Sequence, residues 1–148
     1  MNTMSAKTTT ASKASKSDLS QKREFSQQEK NKIVDKLVTA RIGLLLRHPF
    51  FGNMATRMKL VDASDWLPTA ATDFRNFFFN REFFEKMTPR QVEFVVAHEI
   101  LHCVYDHMDK KRLGNRDPRL WNIANDYVIN NDLVEAQIGE KITLVEIC

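Results

Sequence analysis

The chain is poor in cysteine: of 148 residues only Cys103 and the terminal Cys148 carry thiols. Two thiols do not make a disulfide framework, so free thiols in a reducing cytoplasm are expected. Long apolar runs are also missing. Nothing approaches the roughly 18 apolar residues of a membrane span, which excludes a transmembrane helix. The N-terminal segment MNTMSAKTTTASKASKSDLS lacks the apolar stretch of a secretory signal. It also has no arginine before Arg23, which argues against an organelle transit peptide. No internal repeat is visible.

A strong charge bias is absent as well. The formal charge of +3 belongs to residues 1–23, where Lys7, Lys13, Lys16, Lys22 and Arg23 face a single Asp18; the rest is close to neutral. The basic residues of this tail are spaced and not interleaved with aromatics. Nucleic acid is therefore expected only through weak, salt-sensitive, sequence-blind tail contacts. The Ser/Thr/Lys-rich segment buries too little apolar surface to offset its ordering entropy, so residues 1–24 are expected to be a disordered tail. The apolar share of 43% and charged share of 28% suit a soluble globular domain, placed at residues 25–148.

Residues 27–47 read as a helix with a Ser26/Glu29 capping box and a stripe of Ile33, Leu37, Ala40, Ile42, Leu44 and Leu45, stopped by His48-Pro49. HPFFG reads as a turn, residues 54–63 as a strand, and residues 71–80 as a second, Phe-rich strand. Beside the helix that follows it, the Phe-rich segment 74–79 is a candidate for holding an extended peptide by strand addition. Thr88-Pro89-Arg90-Gln91 is a helix start, and the helix should run to about Asp109. Its Val92, Val95, Val96, Ile100, Leu101, Cys103 and Val104 cover nearly the whole circumference, the mark of a buried helix. A charged loop over 110–117 and a further helix from Pro118 to about Ala136 follow. The last residues, EKITLVEIC, read as a strand in need of a partner, or as the end of a chain shorter than its relatives.

The buried helix carries His98-Glu99-Ile100-Leu101-His102, an HExxH pattern. About 0.006 such matches are expected by chance from this composition, so the motif is specific. At helical spacing the two imidazoles lie about 40° apart on one face and can reach one metal ion. Glu99, at the edge of that face, is placed to take a proton from metal-activated water and pass it to a leaving amine. Zinc suits such a set because it takes nitrogen and oxygen ligands and keeps an open position. A third ligand is needed, and two residues stand as candidates. Asp126 lies on the next helix, within a polar stripe of Asn122, Asp126 and Asn130. His107 lies about 140° from His102 on a continuous helix, and can ligate only if the helix ends near Tyr105. Asp106 is one turn from His102 and is a candidate to orient an imidazole N–H, with Asn122 and Asn130 in the same supporting role. Cys103 faces away from the pair and reads as packing.

The segments Thr72–Arg75 (TDxR), His98–His107 (HExxHxxxxH) and Trp121–Asn130 (WNIAxDYxxN) resemble the putative metallopeptidase domain of bacterial and phage proteins. In those proteins a von Willebrand A-like (VWA-like) domain follows. The resemblance spans about Lys36 to Leu133. It implies His98 and His102 as metal ligands and Glu99 as the catalytic acid/base, and it contains both Asp126 and His107. This chain departs from the family pattern where Gly is common, carrying Phe74 and Asp106. The implied fold is α+β and zincin-like: a buried HExxH helix on a second ligand helix, an N-terminal helix and a small β-sheet. The implied function is a cytoplasmic, zinc-dependent (Zn2+) peptidase acting on a protein or peptide substrate. The alternative is an inactive, metal-stabilised interaction module that works with a VWA-like partner. No membrane contact is expected.

Overall fold

The computed structural model describes residues 22–105 and 109–142. The architecture is α+β, with six helices and a three-stranded sheet among the described residues. Most of the expected tail, Asp106 and His107, and residues 143–148 of the expected C-terminal strand lie outside them. No described helix is long and apolar enough to cross a membrane.

Helix α1 (Gln27–Arg47) starts as its sequence requires. Ser26 Oγ accepts from Glu29 N, and Glu29 Oε2 accepts from Ser26 N at 2.8 Å. Its buried face is Ile33, Leu37, Ala40 and Leu44, a helical i, i+4, i+7, i+11 series. Pro49 ends α1 but also opens α2 (Pro49–Arg57) at its first position, where the missing N–H costs nothing. The expected HPFFG turn and the first part of the expected strand 54–63 are therefore helix. Phe51, Met54, Ala55 and Met58 meet the core at helical spacing, and part of this series passed for strand alternation. The two helices cross closely enough that a Cβ on Gly52 would collide with the Leu45 backbone.

Only Lys59–Asp62 remains as β1. The expected strand 71–80 is split into β2 (Ala70–Thr72) and β3 (Asn76–Phe79) by a turn at Asp73–Arg75. β3 is central: it pairs parallel with β1 and antiparallel with β2. Both edges of the Phe-rich strand are thus occupied by the chain itself, so it cannot accept a peptide by strand addition. Phe77 and Phe79 point into the core, and Phe77 stacks obliquely near Phe84 of α3 (Arg81–Glu85).

Helix α4 (Pro89–Val104) has the expected Thr88/Gln91 capping box and Pro at its start. Residues Val92 to His98, then Ile100 and Leu101, are all buried. Each fully buried Val, Leu, Ile or Phe contributes about 1.5–3 kcal/mol, so this helix is the axis of the core. It ends at Val104, not near Asp109. Within the expected loop 110–117, Lys110–Leu113 form a short helix, α5; Asp109 Oδ1 caps it and Gly114, at φ 57°, ends it. Helix α6 (Pro118–Glu135) is capped by Asp117 and packs on α4. Tyr105 Oη donates to Asp132 Oδ2 at 2.6 Å, bracing the end of α4 against α6.

Glu93 was not foreseen as a core residue. It is buried on the face of α4 that meets α1, where Arg47 pairs with one carboxylate oxygen and Arg90 lies 3.3 Å from the other. Gly43 leaves the room: a Cβ there would collide with Glu93 Oε1. A buried carboxylate persists only when paired in this way.

Candidate metal centre

Helix α4 sets His98 and His102 one above the other. Their ring centroids are 4.7 Å apart and their Nε2 atoms 3.0 Å apart. Helix α6 brings Asp126 against both: its Oδ1 lies 2.9 Å from His102 Nε2 and 3.2 Å from His98 Nε2. His98 is fully buried, Asp126 nearly so, and His102 is partly exposed. His102 is the most exposed of the three side chains.

Asn130, one turn beyond Asp126, places Oδ1 2.8 Å from His98 Nδ1. An amide oxygen accepts, so the proton sits on Nδ1 and Nε2 presents its lone pair to the triangle. This is the usual way a protein fixes the tautomer of a metal-binding histidine. The donor set therefore fits a metal ion: two imidazole nitrogens and one carboxylate oxygen, mutually 2.9–3.2 Å apart.

The electrostatics follow from burial and from these contacts. Burial works to lift the Asp126 carboxyl, but hydrogen bonds to His102 and His98 more than offset it and hold Asp126 well below the usual carboxylate range. Burial likewise opposes a charge on His98, yet Asp126 and the nearby Glu99 raise it above the ordinary histidine value. For Glu99, desolvation dominates the attraction of His98 and His102, and the carboxyl is pushed up. Among the described residues Glu99 makes no hydrogen bond, leaving its oxygens available. Burial pushes the Cys103 thiol up to about 11, so it is a neutral packing group; its Sγ points at Thr72 O, 3.5 Å away.

Of the residues singled out in the sequence, the structure brings together His98, His102, Asp126 and Asn130, with Glu99 adjoining. Asn122 is exposed on α6. Asp106 and His107 lie outside the described residues. Sequence reasoning missed Asn125, buried beside Asp126 with no partner for its Nδ2, and the Tyr105–Asp132 brace. The first had a signal in its position next to Asp126; the second had none, since the pair spans two helices.

An α+β domain whose core helix sets two imidazoles against a carboxylate from a neighbouring helix carries a donor set that could hold a metal ion. The chain belongs to the putative metallopeptidase domain family, whose sequence model matches residues 32–145. An uncharacterized protein of Thermotoga maritima is 29% identical over 91 residues, covering 59% of this chain and 23% of that protein. The chain thus spans about a quarter of the length of this curated relative. No solved structure matches.

Proposed function

We propose that the protein is a zinc-dependent peptidase in which His98, His102 and Asp126 hold the metal and Glu99 handles the proton. The observation that carries this reading is the convergence of His98 Nε2, His102 Nε2 and Asp126 Oδ1 within 3.2 Å of one another, with the half-buried Glu99 next to His98. Zinc, when bound, supplies a Lewis acid that activates water near neutral pH and polarises a peptide carbonyl. The chain's own residues do the rest. Asn130 holds the His98 ring in the ligating tautomer. Asp126 supplies the negative charge that balances a cation in a mostly buried place. Glu99, raised toward neutrality by its surroundings, takes a proton at its carboxylate and returns it to the departing amine. The Cys103 thiol stays protonated and takes no part.

The test is a purified, zinc-reloaded chain assayed against a mixed peptide library beside Glu99→Gln. The expected result is one zinc per chain in both proteins and cleavage lowered by about 10²–10⁴-fold in the variant. Zinc in both proteins with no Glu99-dependent cleavage would instead establish a metal-stabilised interaction module. Absence of bound metal from the reloaded chain would end both readings.

A further inference from the structure

We infer that Phe74 is a specificity-determining residue of this site, its ring forming an apolar wall that receives an aromatic or large aliphatic side chain next to the scissile bond of a peptide. The inference rests on the peptidase reading above. It starts from the place of the β2–β3 turn. Glu99 and Cys103 are one helical turn apart and share a face of α4. The Cys103 thiol meets Thr72 O at 3.5 Å, and the charges of Glu99 and Asp73 both bear on it. The turn Thr72–Arg75 is therefore laid along the face of α4 that carries Glu99.

Phe74 sits in that turn at φ 71°. The central pair of the turn is Phe74-Arg75, between Asp73 and Asn76, and a positive φ at the first central position is where a hairpin of this size takes glycine. A bulky residue there is a genuine outlier. The surroundings impose it. Asp73 Oδ1 accepts from Arg75 N at 2.9 Å and from Asn76 N at 2.7 Å, while Thr72 Oγ1 accepts from Phe74 N at 3.2 Å and donates to Asn76 O at 2.7 Å.

Gln137 is the other described non-glycine residue with a positive φ, and the contrast is informative. It lies just past α6, where Ile138 N donates to Leu133 O at 3.0 Å, a helix-ending motif that demands the left-handed conformation. For Phe74 the turn accounts for the backbone but not for an aromatic side chain in place of glycine. Phe74 is 45% exposed and outside the hydrophobic core, so neither the turn nor the packing needs an aromatic there. Strain kept in an exposed residue beside a candidate active site points to ligand contact. A phenyl face and edge select apolar partners by burial and by edge-to-face pairing.

The test uses the zinc-loaded full chain carrying Glu99→Gln, so that binding is read without turnover. Extended ten-residue peptides, varied one position at a time, are titrated by fluorescence polarisation. The expected result is at least tenfold tighter binding when one position holds Phe, Tyr, Leu or Met than when it holds Asp or Gly. Adding Phe74→Asn, which tolerates the left-handed conformation, should erase that preference while the melting temperature holds or rises. Phe74→Tyr should keep it. A preference unchanged by Phe74→Asn, an equal loss on every peptide, or the absence of any apolar preference would overturn the inference. Cleavage of the selected peptides by the unsubstituted chain is read separately: peptides that show the Phe74-dependent preference but are never cleaved count against the peptidase reading and support the Phe74 contact.

Discussion

Helices α4 and α6 lie side by side and are built on opposite plans. α4 is apolar nearly all round and buried from Val92 to His98, with its polar site residues set into that body. α6 turns Asn125, Asp126 and Asn130 inward with Ile129 and Leu133, and leaves Leu120, Ile123, Tyr127, Val128 and Val134 exposed. Hydrophobic burial alone would rotate α6 the other way. Its inward face is polar because it meets two imidazoles, and the bonds to His98 and His102 make up for part of the apolar area left in water. α4 is thus placed by the core and α6 by the site.

That contrast yields substitutions with different outcomes. The largest effect on stability is expected from Phe94→Ala in α4, a fully buried ring whose loss should cost about 3–5 kcal/mol in urea unfolding. A loss near zero would mean that α4 is not the core axis. On α6, Asn130→Ala should leave the fold standing but weaken metal affinity by about 10–100-fold in a chelator competition, because the His98 tautomer is no longer fixed. Tyr105→Phe removes one hydrogen bond between the two helices and should lower stability by about 1 kcal/mol. Tyr127→Ser, on the exposed face of α6, should shift stability by no more than about 0.5 kcal/mol. A large loss from Tyr127→Ser would show that this face is covered in solution and would break the comparison.

The same contrast explains what was legible in the sequence. The capping boxes at Ser26 and Thr88 and the apolar circumference of α4 are local signals, and the helices follow them. The HExxH spacing fixed the His98/His102 pair, and the polar stripe pointed to Asp126 and Asn130. The stripe failed at Asn122 because the inward face of α6 turns through Asn125 instead. Pro49 misled because a residue that stops one helix can start the next. The Phe-rich strand was broken by a turn at Phe74, whose left-handed backbone no propensity of phenylalanine announces and which costs about 1–3 kcal/mol. Glu93 was invisible as a core residue because its partner Arg47 comes from another helix, 46 residues earlier.

The claim on which the account stands is that α4 and α6 together hold one metal ion. It is tested most directly by titrating zinc into the chelator-treated full chain and into Asp126→Ala. The account predicts one tight site per chain, weakened at least 100-fold by the substitution. A chain that binds no zinc, or an Asp126→Ala variant that binds it with unchanged affinity, would contradict it.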